Sequence, residues 1–189
     1  MSNTSWQDEI GRVVWPLQII IPALVMGCLF FLAVVTFMPP LGPAPLAALM
    51  GYVGLGFVLA ALIAREIAVR GIVGRGRRRI RAGTFPPLAN SPVPGLNSQE
   101  FLARTGDAGL LYSVYQARMI TGAAILEGAA FLMLSLFMIG RQPWTVALAI
   151  ALIAGVALHF PTRASVCQWI EQQLRLMSEE RDLGPGGAG

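Results

Sequence analysis

One carboxylate stands inside a long apolar run. The stretch TGAAILEGAAFL, residues 121–132, sets Glu127 among alanine, glycine, leucine and phenylalanine. A carboxyl group in such a place can do two kinds of work. It can take up and release a proton or ion, or it can donate one hydrogen bond that fastens helices together. A bare carboxylate in hydrocarbon costs several kcal/mol, so the neutral, hydrogen-bond-donating form is expected. Both uses stay open.

His159, the chain's single histidine, is the second candidate. Helical side chains lean towards their own N-terminus, and the runs carrying Glu127 and His159 are antiparallel. The two side chains would therefore approach each other if they shared a face. The alternative for His159 is an interfacial or capping role. A third group is the basic cluster Arg75, Arg77, Arg78, Arg79 and Arg81. Guanidinium groups bind phosphates, so nucleic acid and lipid headgroups both come into question. No aromatic side chains alternate with these arginines as a nucleic-acid platform requires. Beside an apolar helix such a cluster fixes topology and meets anionic headgroups. Lipid is the expected partner, and nucleic acid is not.

Other chemistry lacks its residues. The two cysteines, Cys28 and Cys167, are far apart and form no CxxC. Neither a disulfide framework nor a zinc site is expected. Phosphate-loop, nucleophile-elbow and HExxH motifs are missing, so no cofactor, metal or enzymatic activity is expected.

The elements that must position these residues are apolar. The chain has 189 residues, 55% hydrophobic and only 13% charged. A soluble domain carries about twice that charge. Four apolar runs, 15–38, 46–64, 119–140 and 144–160, read as membrane spans. No small-residue cleavage site follows the first, which is expected to stay as an anchor. The predicted fold is all-α, a four-transmembrane-helix bundle of two hairpins with a cytoplasmic linker and a C-terminal amphipathic helix. Its parts are an N-terminal segment (1–14), hairpin 1 (15–64), an Arg- and Pro-rich linker (65–117), hairpin 2 (118–160) and the amphipathic helix with its tail (161–189). Seven arginines lie between Arg65 and Arg81, whereas the turn between the first two runs has none. Positive charge stays on the cytoplasmic side. Both termini are therefore expected in the cytoplasm, in a bacterial inner membrane.

Counting along the third run puts Glu127 about 13 Å deep. The same count sets Gly27, Gly54, Gly56 and Gly155 near its level, and Ala124 with Gly128 adds a small-xxx-small pair. Close packing around the acid is expected. Near the cytoplasmic face, Asn97 and Glu100 suit the capping of a short helix that Gly106 ends, and Asp107 can cap the next. Over residues 164–182, Val166, Trp169, Ile170, Leu174 and Met177 form an apolar stripe. That helix should lie on the membrane or dock on residues 99–115.

Two resemblances add to this reading. ILEGAAFLMLSLF resembles the carboxylate helix of the ATP synthase proteolipid (c) subunit, in which one acid among small residues carries an ion. RQP at 141–143 is similar to that family's polar loop. Here, however, the acid precedes the loop, and the following helix has no acid. EGAAF at 127–131, FPTR at 160–163 and WIE at 169–171 resemble a family of uncharacterised bacterial multi-pass membrane proteins. That likeness implies the architecture and no activity. The expected function is that of a non-enzymatic scaffold or accessory subunit, oligomeric or bound to a membrane complex. The alternative is a proton- or ion-translocating subunit that uses Glu127.

Overall fold

The structure is a computed structural model and describes residues 4–39, 47–84 and 99–182. Among these residues the chain is all-helical, without strands. The helices are α1 (Thr4–Val13), α2 (Trp15–Phe37), α3 (Ala47–Arg81), α4 (Gln99–Thr105), α5 (Asp107–Gly140), α6 (Pro143–Ala157) and α7 (Arg163–Asp182). Residues 40–46, Asn97, the Pro-rich stretch from 85 to 98 and the tail from 183 lie outside the described residues.

Three stretches are long and apolar enough to cross a membrane: Trp6–Phe37, Leu49–Arg81 and Asp107–Gly140. The fourth expected span is shorter. Helix α6 has 15 residues, about 22 Å against a hydrocarbon core of about 30 Å. Its end has a local cause. The amides of His159 and Phe160 bond to the carbonyls three residues back, at 3.0 and 3.1 Å, and Pro161 follows with no amide hydrogen to give.

The segment from Arg65 to Arg81, expected to open a linker, is helical and belongs to α3. Arginine, isoleucine and alanine are all residues a helix tolerates, and the glycines at 71, 74 and 76 do not interrupt it. The stop comes at Gly83, whose φ of +63° suits a residue without a Cβ. There the Thr84 amide reaches back to the Arg79 carbonyl at 3.0 Å and closes a Schellman turn. Gly106, at φ +55°, ends α4 as its sequence position predicts.

The chain divides into two compact units, with the divisions falling inside α2, α3 and α5. One comprises Ile19–Val69 and Met119–Phe160, and the other the remaining residues at 1–18, 70–118 and 161–189. The apolar unit has a single core. Ile21, Cys28 and Val35 from α2 meet Val58 from α3, Ala123, Ala130 and Met133 from α5, and Ala149, Leu152 and Val156 from α6. Phe31 and Phe131 pack at a ring distance of 5.2 Å. Its outer positions are also greasy: Phe30, Tyr52, Phe57 and Ile63 are all more than half exposed. In water that pattern would be a liability; against lipid tails it costs nothing.

The polar unit is assembled differently. Helix α1 packs against α4 and α7, burying Ile10 and, just beyond its end, Val14 and Leu17. The Tyr112 hydroxyl donates to the Val13 carbonyl at 2.6 Å, where the chain bends between α1 and α2. Helix α7 starts at a reciprocal cap. The Ser165 amide donates to Thr162 Oγ1 and the Thr162 amide donates to Ser165 Oγ, both at 3.1 Å. This is a capping box with serine at the third helical position. FPTR is therefore, physically, a helix start.

Candidate functional site

Glu127 sits on α5 in the apolar unit, half-buried. Its Oε1 is 3.9 Å from the point a Cβ on Gly27 would occupy. The bare backbone of α2 thus gives the carboxyl its room. Among the described residues Glu127 makes no hydrogen bond and no ion pair. The acid is therefore not sealed in the core, and no described residue fastens it.

The other glycines of the expected ring serve other contacts. A Cβ on Gly155 would meet Leu126, and one on Gly54 would run into Leu136. Leu136 is nine residues beyond Glu127 on α5, or about 13 Å further along the axis. Gly56 and Gly128 face open space. Only Gly27 lies against the acid, because counting from the ends of runs fixes neither helix rotation nor stagger.

His159 is placed at the end of α6, and both ring nitrogens are occupied. Nδ1 lies 2.5 Å from the Gly155 carbonyl and Nε2 meets the Arg65 guanidinium. A guanidinium only donates, so Nε2 accepts and Nδ1 carries the proton that goes to Gly155. No nitrogen remains for Glu127. Arg65 crosses α5 at Gly122, its Nε 3.5 Å from where a Cβ would be. That Nε is buried and has no partner among the described residues. Arg65 is the residue sequence reading missed here. Its sequence position groups it with the topology-setting arginines, and nothing in the spacing shows that it reaches the histidine.

The basic cluster is split. Arg77 and Arg81 both pair with Glu180 on α7, at 3.0 and 3.1 Å. Arg75, Arg78 and Arg79 are exposed. Helix α7 is docked inside the polar unit, the second of its two expected positions. Trp169 packs on Tyr115 with ring centroids 5.2 Å apart, and the Arg118 guanidinium lies 5.6 Å from the Trp169 ring centre. Arg163 pairs with Asp8 at 2.6 Å, Gln7 donates to Glu171 at 2.6 Å, and Arg181 pairs with Asp107 at 3.2 Å. The buried stripe is Val166, Ile170, Gln173 and Met177. Trp169 and Leu174 lie at its edges, and the buried Gln173 escaped the hydrophobic pattern because its side chain is polar.

Cys167, beside this stripe, is a free thiol. Burial pushes its pKa up, with nearby Glu171 and Asp8 adding to the rise and Arg163 opposing it. Among the described residues no three metal-binding side chains come together. Comparison with protein-family models, with curated proteins and with solved structures finds no match.

Proposed function

We propose that the chain is a non-enzymatic integral membrane protein that serves as a scaffold or accessory subunit of a bacterial inner-membrane complex. In this reading α2, α3, α5 and α6 form a bundle of four spans in two hairpins, with both termini in the cytoplasm. The observation that carries it is the contrast between the two units. One has apolar residues both inside and outside. The other gathers the N-terminal segment, the arginine-rich end of α3 and the C-terminal helix into a folded polar body held by ion pairs. A folded polar body joined to membrane helices is a surface for other proteins; an anchor alone would not need one.

Photo-crosslinkers at exposed positions of α7, such as Glu179, should trap a specific partner or a second copy in native membranes. A lone monomer at every position would remove the scaffold reading. Reporters fused after Arg81 and after Asp182 should both report cytoplasm. A periplasmic signal after Arg81 would overturn the topology, because seven arginines would have crossed against the positive-inside bias.

A second reading rests on Glu127. It is supported by an acid that is half-buried and without a partner among the described residues, since ionisable groups within membrane spans are expensive to keep. Proteoliposomes loaded with a pH dye test it: a proton flux that Glu127→Gln leaves unchanged would exclude it.

A further inference from the structure

The five arginines that close α3 fall on two sides of the helix. Arg77 and Arg81, four apart, share Glu180 on α7. Arg75, Arg78 and Arg79 are exposed, and among the described residues none of the three makes an ion pair or hydrogen bond. Spacings of three and four set them on one face within about a turn. Like charges at that spacing destabilise a helix, yet the helix continues through them to Arg81. The face needs a counter-charge, and no described residue supplies one.

Building on the membrane reading above, we propose that Arg75, Arg78 and Arg79 form a contact face for phosphate groups of anionic phospholipids in the bilayer the chain spans. Position along α3 carries the argument. The apolar unit ends at Val69 on this helix. Arg75 follows about 9 Å later and Arg79 about 15 Å later. The headgroup layer extends about 5–7 Å beyond the hydrocarbon, and an arginine side chain spans most of the remaining distance to Arg75. Arg78 and Arg79 stand close enough for a charge attraction that fades over about 8 Å. Guanidinium forks match phosphate oxygens in pairs. Between Arg65 and Arg81 there is no aromatic residue on which a base could stack, which disfavours single-stranded nucleic acid. The sequence groups all five arginines as one cluster; the structure withdraws Arg77 and Arg81 and leaves three.

The test uses the full-length protein in detergent, titrated with short-chain phosphatidylglycerol or phosphatidylcholine, with bound lipid counted by native mass spectrometry. Phosphatidylglycerol should be held in preference, and each of Arg75→Gln, Arg78→Gln and Arg79→Gln should weaken that preference by about fivefold or less. The triple variant should show none. Arg77→Gln should retain it, since that charge is engaged with Glu180. Equal binding of both lipids by the wild-type chain would overturn the proposal. So would an equal loss in Arg77→Gln, or binding of a short single-stranded RNA more tightly than phosphatidylglycerol. Alkaline carbonate extraction of the same variants checks the membrane reading separately, because integration does not depend on lipid preference.

Discussion

The imidazole of His159 accepts a hydrogen bond from the Arg65 guanidinium while donating one to the carbonyl of Gly155. One ring thereby joins α3 to the last turn of α6, which has run out of helical partners for its carbonyls. The link is local and electrostatic, and it should be measurable as a coupling. A hydrogen bond to a charged group contributes about 1.5–3 kcal/mol; for this half-buried pair the lower end applies. His159→Phe and Arg65→Gln should each lower stability in detergent. The double variant should lose less than the sum, by about 0.5 kcal/mol or more. Strict additivity would mean that the two side chains do not act on each other.

How much of this could be read from residues differs from element to element. The apolar runs announced α2, α5 and most of α3, because hydropathy over twenty residues is a strong signal. Glycine at the right place announced the end of α4. Helix α1 gives no such signal: its one fully buried apolar side chain, Ile10, is set among charges, and the helix is packed by α4 and α7, which are remote in sequence. The tail of α3 reads as a linker because three glycines lower helix propensity and closely spaced like charges repel along a helix. Gly76 in fact sits where Val114 comes close. The site suffered most. Depth along a helix follows from counting, but which face a side chain occupies depends on rotation, and that is set by packing. Glu127 stands out in the sequence by its surroundings alone, whereas whether His159 faces it or caps a helix end depends on that rotation, and here the ring bonds to the Gly155 carbonyl and to Arg65.

Trp169 offers a direct probe of the docked helix. It lies between Tyr115 and Arg118, so acrylamide should reach it poorly. The chain has four tryptophans, and the measurement therefore needs a variant with Trp6, Trp15 and Trp144 replaced by phenylalanine. Tyr115→Ala should raise the quenching constant of Trp169 towards that of an unfolded control. Full quenching already in the parent variant would mean that α7 is undocked.

Cys167 should be a slow nucleophile. Because burial and two nearby carboxylates hold its pKa up, less thiolate is present at neutral pH than in a free cysteine. Its alkylation by iodoacetamide at pH 7.5 should be slower than that of a model peptide and should accelerate as pH rises. Glu171→Gln removes a charge that disfavours the thiolate and should speed the reaction. Arg163→Gln removes one that favours it and should slow it. A reversed order for these two variants would contradict the placement of the charges around the thiol.

Glycine substitutions should separate close approach from open space. At Gly76 an added Cβ would lie 2.5 and 2.9 Å from the two methyl carbons of Val114. Valine is stiff at χ1 and cannot swing aside, so Gly76→Ala should cost about 1–3 kcal/mol. Gly56 and Gly128 meet nothing within 4 Å, and alanine there should be neutral or stabilise by up to about 1 kcal/mol. Thermal unfolding in one detergent compares all three. Equal effects would show that α3 and α5 are not as close at Gly76 as described.

Glu127 can be tested for its reason to exist. A polar group kept part-buried without a hydrogen bond costs about 1–3 kcal/mol by mutational measures, and Glu127 has no partner among the described residues. If nothing else engages it, folding gains from its removal. Glu127→Leu, close in volume and lying beside the bare backbone of Gly27, should then raise the unfolding temperature, and Glu127→Gln should change it little. Such a gain is the mark of a residue retained at the expense of stability, and it would favour the ion-handling reading over helix fastening. A protein fastened by this acid would respond the other way, losing stability with leucine and keeping it with glutamine. Running both variants through the pH-dye assay joins the two measurements. A stabilising Glu127→Leu that abolishes proton flux assigns the acid to transport. A destabilising Glu127→Leu with unchanged flux makes it a fastening between helices, supplied with a partner from a second copy or another subunit.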